Sequence, residues 1–507
     1  MVTVSHNSIT RNKIPQFCRC APHREGLIVE SSAIVSHAMV HKGNEPEFVH
    51  KFQIPKMRYS WTPLCLGIAI PAFIGMLADP LLSLIDTAYV GKLGTNELAA
   101  LGACTSIFHL AFNAFRATTA ATTSLVSKYL SISAENGDTL TASAKQVTST
   151  SLWLGCWMGT MVTILLYCFG THALASMGVP STSSLYPAAK DYLYARLWAA
   201  PAVLFIGVAE GAFRGYGDTT IPLLASLVAA SLNLILDPLL MFTLGWGVQG
   251  AALATAFAQC GAALVYGLKL IQRKMLPPQK KRSTLFTSIS VSAAPSQIEI
   301  LRTILGANAA MLLKQGSLLL GWAYATARAT RLGPDHVAAH QVGLSVWLVF
   351  ALILDGIAVA AQVLMSRAYA EADKPKVRSL TWYMLKCAML QGIVSMLIVD
   401  GIDIAVPQLF TNDLVIQRHL HKIMPCLAWQ QILVSLTLVT ESLAVGMTQF
   451  RTLAIGTALS TILSVWQISK QSTVEGIWSF GIVSLFVGRL LTAALGCGMA
   501  LQKMNKT

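Results

Sequence analysis

Charge is what this chain has least of. Only 12% of its 507 residues are charged, against 54% hydrophobic. A soluble domain carries about 25% charged residues. Apolar runs of about 20 residues, the length that crosses a bilayer, recur through the whole chain. A large soluble enzyme with buried helices is set aside on these grounds, and a polytopic membrane protein is expected.

Other absences narrow the function. The ten cysteines are scattered. Only Cys18 and Cys20 stand close, and there is neither a disulfide framework nor a zinc pattern. There is no nucleotide-binding P-loop, because "GAFRGYGDT" lacks the Gly-Lys-Ser/Thr ending. Transport driven by ATP on this chain alone is therefore not expected. No histidine cluster or Gly-x-Ser with a base is present, so no enzyme and no cofactor is expected. The net charge of +14 comes without a basic–aromatic stripe, so no nucleic-acid partner is expected. The basic residues stand instead at segment ends and in the N-terminal tail, as topology signals and anionic-lipid contacts do.

Acids are missing from the start of the chain. The first is Glu25, preceded by Arg11, Lys13, Arg19 and Arg24 with Thr3, Ser5, Ser8 and Thr10. No apolar core of a secretory signal accompanies them. Residues 1–56 read as an organelle transit peptide and tail, with a disordered cytosolic tail as the alternative. Composition alone does not separate chloroplast from mitochondrion.

Twelve apolar segments follow, near 62–90, 98–130, 147–170, 187–213, 219–243, 249–272, 300–328, 336–368, 380–399, 417–446, 449–469 and 476–502. The fold class expected is an all-α membrane protein of twelve transmembrane helices in two pseudo-symmetric six-helix bundles, spanning 57–272 and 300–507. A basic connector, 273–299, joins them. It holds Arg273, Lys274, Lys280, Lys281 and Arg282, and the loop after segment eight holds Arg367, Lys374, Lys376 and Arg378. Both lie on the side of the N-terminus, which the positive-inside rule makes the cytosol or the stroma.

The halves repeat. "KLGTNELAALGACTSIF" from Lys92 aligns with "RLGPDHVAAHQVGLSVW" from Arg331, and the offset of 239 holds to "SLVSK" (Ser124–Lys128) against "VLMSR" (Val363–Arg367). "EGAFRGYGDT" from Glu210 aligns with "ESLAVGMTQF" from Glu441, and "GVQGAALAT" from Gly247 with "TVEGIWSFG" from Thr473. Six spans per unit give both units one orientation, a parallel repeat about an axis along the membrane normal. Two such bundles can rock about a central cavity.

Polar residues interrupt the apolar segments, and an ionisable group at bilayer depth usually faces a cavity and has a function. Segment one holds Asp79 and Asp86, with Ser83 between them. Asp79 also reads as a cap around Pro80. Segment five holds Asn233 and Asp237, four apart and so on one helix face, followed by Pro238. Pro238 leaves the Leu234 carbonyl without its backbone donor. Asn233 could fill that gap. Protonation of Asp237 changes it from acceptor to donor. With Glu210 in segment four and Thr255 in segment six, the first bundle offers three carboxyls and two neutral oxygens. Clustered acids raise one another's proton affinity, and oxygen ligands also suit sodium. Proton or sodium is thus the expected coupling ion. In the second bundle the candidates are Lys314, Asp355 and Glu441. Arg116 stands at the repeat position of Asp355. Arg116 and Lys314 could attract an anionic substrate or pair with local acids. His109 and His340 read as structural.

At these residues the chain resembles the multidrug and toxic compound extrusion (MATE) transporters. The matches are "DTAYVGKLG" (Asp86–Gly94), "FRGYGDTTIP" (Phe213–Pro222), "NLILDP" (Asn233–Pro238), "GVQGAALAT" (Gly247–Thr255) and "DGIAVAAQ" (Asp355–Gln362). They fall in order over roughly 60–502. "ADPLLSLIDTAYVG" and "DGIAVAAQVLMSRAYAEAD" are most similar to the plant branch with citrate exporters and plastid-envelope members. With the transit-like tail they resemble the chloroplast proteins of the DETOXIFICATION group. The resemblance implies cation-coupled antiport of a small organic compound through two bundles in a lipid bilayer. It implies a monomer in the chloroplast envelope, the plasma membrane or another endomembrane being the alternative. It assigns the coupling site to Asp86, Asn233 and Asp237, with Thr255 at the matching distance. Glu210 falls where the family usually has an amide. Candidate substrate contacts are Arg116, Lys314, Asp355 and Glu441, an organic anion being favoured. The family's second-bundle acid on helix seven is absent, since that region reads "MLLKQGSLLLGW". The short loop between helices two and three, unlike that of many citrate exporters, gives citrate no support. A lipid-linked oligosaccharide or lipid flippase of similar two-bundle design is the alternative function.

Overall fold

A computed structural model describes residues 61–136, 139–177, 179–277, 297–401 and 414–506. The tail 1–56, the pair Cys18 and Cys20, and most of the connector 273–299 lie outside the described residues. So do the side chains of Asp79, Ser83 and Arg116.

The described chain is a succession of long helices. They are α1 (Trp61–Gly91), α2 (Thr95–Asn136), α3 (Thr139–Ser176), α4 (Tyr186–Gly215), α5 (Thr220–Thr243), α6 (Gly247–Gln272), α7 (Gln297–Leu332), α8 (Pro334–Ala370), α9 (Lys374–Gly401), α10 (Leu414–Gly446), α11 (Phe450–Ser469) and α12 (Val474–Asn505). Among the described residues, α3 to α12 contain ten spans long and apolar enough to cross a membrane. The fold is that of an all-α membrane protein. Large apolar side chains such as Trp153, Ile164, Leu320 and Leu390 stand exposed, as a lipid-facing surface requires.

The repeat read from sequence is visible in the packing. In the first half α2 packs on α3 and α4, α3 on α4, α1 on α5, α5 on α6 and α4 on α6. Each pair recurs six helices later: α8 on α9 and α10, α9 on α10, α7 on α11, α11 on α12 and α10 on α12. The register is equally exact at single residues. A Cβ on Gly215 would lie 2.8 Å from Val126 Cβ and 2.9 Å from the Thr123 carbonyl. A Cβ on Gly446 would lie 2.9 Å from both Met365 Cβ and the Gln362 carbonyl. Val126 and Met365, like Thr123 and Gln362, are the pairs the offset of 239 equates. Glycine lets the fourth helix of each half touch the second at backbone distance.

The halves meet through α1 and α2 against α7 and α8, and these contacts gather on one face. The Trp61 indole donates to Ser379 Oγ (3.1 Å) and the Tyr383 hydroxyl to Thr62 Oγ1 (3.1 Å). Gln362 Nε2 donates to the Ala120 carbonyl (2.9 Å) and Ser124 Oγ (3.1 Å). Ser127 Oγ donates to the Val363 carbonyl at 3.3 Å. The Arg367 guanidinium lies against Gly217, whose φ of +81° suits glycine. These residues stand where α1 and α9 begin, in the second half of α2, and where α4 and α8 end. That is the basic face, so the halves are joined there.

Candidate functional site

The acid cluster lies toward the opposite face. Asp86 is five residues before the end of α1 and Asp237 six before the end of α5. At 1.5 Å per residue both sit about 8–9 Å in from the helix ends. Pro238 interrupts the ladder of α5, and a π-helical turn, Leu239–Thr243, follows it, a local form often found at functional sites.

Asn233 and Asp237 are fully buried and Asp86 is half-buried. Asn233 Nδ2 donates to Asp86 Oδ1 at 2.5 Å and to Asp237 Oδ2 at 3.1 Å. The two carboxyls are close enough to share a hydrogen bond of their own. Asn233 therefore does not repair the gap that Pro238 leaves at Leu234; its amide is spent on the acids. Asn233 Oδ1 and Asp237 Oδ1 are buried without a hydrogen-bond partner. Two acids held by one neutral donor can bind or release a proton with little rearrangement.

Two of the three carboxyls expected in this half thus meet, and the third does not. Glu210 forms an i,i+4 ion pair with Arg214 near the far end of α4. It is fourteen residues, about 21 Å along the helix, from the level of the acid cluster at Arg196. Thr255 is buried on α6, with its hydroxyl donated to the Ala251 carbonyl at 3.0 Å. That contact belongs to its own helix, as is common for threonine in apolar helices.

Two neighbours of the cluster, Tyr192 and Arg196 on α4, are not among the residues singled out from sequence. Arg196 Nη1 donates to the Tyr192 hydroxyl at 2.8 Å, and the guanidinium interacts electrostatically with Asp86. The signal was available, since "YLYARLW" sets an arginine inside an apolar segment.

The second half holds a different cluster. Arg489 of α12 grips Glu441 of α10 with two parallel bonds, Nε to Oε1 at 2.8 Å and Nη2 to Oε2 at 2.9 Å. Lys314 of α7 reaches the same Oε2 at 2.8 Å. Lys314 and Glu441, proposed singly as substrate contacts, thus pair with each other, and Arg489 is a third member that sequence did not supply. The cluster contains two cations and one anion. Asp355 is half-buried on α8. His340 is buried, 3.1 Å from Thr326 Oγ1 and with its ring 5.6 Å from that of Trp478.

The MatE family model matches residues 71–239 and 320–466. The chain belongs to the MATE family of transporters. Protein DETOXIFICATION 44, chloroplastic, of Arabidopsis thaliana is 30% identical, covering 85% of this chain and 80% of the relative. DETOXIFICATION 45, chloroplastic, of the same plant is 28% identical over 76% of this chain and 68% of its own. Among solved structures, a MOP superfamily transporter from Pyrococcus furiosus superposes with a TM-score of 0.74 at 22% identity, covering 92% of this chain and all of the other. A MATE in the bent conformation superposes with a TM-score of 0.74 at 23% identity, over 88% of this chain and 96% of the other. These superpositions bear on fold alone. Each matched segment lies within one half of the repeat, and the first ends just past Asp237.

Proposed function

We propose that this MATE-family chain is a cation-coupled antiporter that moves a small organic compound across a plastid membrane. The observation that supports it most is the Asp86–Asn233–Asp237 cluster. A buried pair of acids sharing one amide donor changes charge when it takes up a cation, and it lies beside the proline kink of α5. Loading the pair alters which bonds Asp237 makes and hence the bend of that helix. The halves are joined on the basic face, so the cluster is placed to load from the opposite side. An organic anion is favoured as substrate, because Lys314 and Arg489 together outweigh Glu441. The chloroplastic names of DETOXIFICATION 44 and 45, with the basic, acid-free tail, support the plastid. One chain contains both halves of the repeat, which supports a monomer as the working unit.

Flux by purified protein in liposomes tests this, under imposed pH or sodium gradients, screened over organic acids and cations. Asp237→Asn and Asp86→Asn are expected to fold and to lose gradient-driven flux. Wild-type flux in Asp237→Asn would remove the cluster from the mechanism.

A further inference from the structure

Arg196 is an intramembrane cation that the coupling cycle above does not use. It lies ten residues into α4, about 15 Å from the helix start, at the level of the acid cluster. Its position is built from several sides. The helix breaks into a tight turn at Leu197–Ala199 before Pro201. Pro201 has no N–H to offer the Leu197 carbonyl. That carbonyl instead accepts from the Ala200 N–H and from Thr163 Oγ1 of α3 at 3.1 Å. The break is thus held in place by another helix. The guanidinium lies 5.0 Å from the Phe108 ring of α2 and 5.8 Å from that of Tyr192. Tyr192 is buried, and its hydroxyl accepts from Nη1. Nε is buried without a partner.

Several groups feel this charge. Asp86 on α1, Cys104 on α2 and Tyr192 on α4 all interact electrostatically with it. Asp237 and Asn233 on α5 join it through Asp86. Thr255 on α6 is neutral. Two carboxylates and one guanidinium leave a net charge of −1, and a single proton brings the cluster to zero.

A sodium ion would meet two obstacles there. It would place a second fixed cation near the guanidinium, where charges interact more strongly than in water. It would also need several oxygens at once, as hard cations do. The Tyr192 oxygen is already taken by the guanidinium. Asn233 Oδ1 is buried without a partner and the Thr255 hydroxyl, donating to Ala251, keeps its lone pairs, so it is the guanidinium that stands against sodium. A proton needs only one carboxyl oxygen, and Asp237 Oδ1 is buried without a partner.

We propose that Arg196 is the fixed counter-cation of the Asp86–Asp237 pair and reserves that pair for a proton by excluding sodium. This rests on the acid pair being the coupling site. Radioactive sodium binding to the purified full-length chain at alkaline pH tests it, alongside proton uptake on acidification. Wild type is expected to bind no sodium saturably and to take up about one proton more than Asp86→Asn/Asp237→Asn. Arg196→Gln is expected to gain saturable sodium binding that Asp237→Asn removes again, while Arg196→Lys remains without it. Saturable sodium binding by wild type overturns the inference, and needs no variant to fold. So does a monodisperse Arg196→Gln that binds no sodium. In both cases the acid pair can still be the coupling site. Equal proton uptake by wild type and the double variant overturns the coupling site itself, and the role of Arg196 with it.

Discussion

Asn233 donates to Asp86 at 2.5 Å and, with the same nitrogen, to Asp237 at 3.1 Å. One amide thus ties α1 to the kinked end of α5. Replacing it with an isosteric apolar group should uncouple the two helices. Asn233→Leu leaves two buried carboxyls without their shared donor, a loss of roughly 1–3 kcal/mol. The expected outcome is a folded but less stable protein with gradient-driven flux reduced at least as much as in Asp237→Asn. Melting in detergent and flux in liposomes are the two readouts. Undiminished flux would show that the bridge plays no part in coupling.

Glu210 supplies the contrast. It is an acid in the same half, but its partner is Arg214 on the same helix. Glu210→Gln should retain most of the pH-driven flux and cost at most about 1 kcal/mol of stability, because Glu210 is partly exposed and screened. Loss of flux comparable to that of Asp237→Asn would place Glu210 in the coupling machinery after all.

The second-half triad makes an ordered prediction about stability. Glu441 is the single anion between Arg489 and Lys314. Glu441→Gln leaves two buried cations facing each other, and losing one partner of a buried pair costs about 3–5 kcal/mol. Lys314→Met leaves the two-bonded Arg489–Glu441 pair intact and should cost clearly less. Thermal melts of the two variants should rank in that order. In liposomes Lys314→Met should lose organic-anion flux more than its stability loss explains.

The pattern of these sites shows what a linear reading reaches. The two-half architecture was legible because repetition survives in sequence: the offset of 239 equates residues that contact equivalent glycines in each half. Asn233 and Asp237 were legible because a helix puts residues four apart on one face, and because Asp237 stands out in an apolar run. Partnership was not legible. Lys314 and Glu441 lie 127 positions apart, and nothing in either neighbourhood says they meet. Asn233 could have served the Leu234 carbonyl or the acids, and only the approach of α1 decides between them. Glu210 looked like a cluster member because depth along α4 cannot be judged until the level of its neighbours is known. Arg196 was visible as an intramembrane charge, but its meaning depends on the rings of Phe108 and Tyr192 around it.

Close packing at the repeat glycines predicts paired sensitivity. Gly215→Ala and Gly446→Ala each force a methyl into backbone contact with the second helix of the same half. Overpacking of this kind costs typically about 1–3 kcal/mol. Gly316→Ala on α7 is the control, since a Cβ there meets nothing within 4 Å and alanine is the better helix former. The first two variants should melt lower than wild type by similar amounts, and the third should not.

The joint on the basic face should control which side the halves open to. Gln362 reaches from α8 to the Ala120 carbonyl and to Ser124 Oγ on α2, two bonds across the interface from one side chain. Gln362→Leu keeps the volume and the helix propensity but removes both bonds, and so leaves Ser124 Oγ without that donor and the Ala120 carbonyl with its helical bond alone. That cost falls only on the state in which the basic face is closed, because opening the face lets water reach Ala120 and Ser124. At about 0.5–1.5 kcal/mol per bond, the balance should move toward the state open on the basic face by about fivefold or more. Ser127, buried in the same joint with its hydroxyl donated to Val363, is a reporter position. A cysteine there should react slowly with a membrane-impermeant maleimide applied from the basic side of wild-type vesicles, and at least several-fold faster when Gln362 is leucine. Equal labelling rates in both backgrounds would mean that these bonds do not hold the face closed.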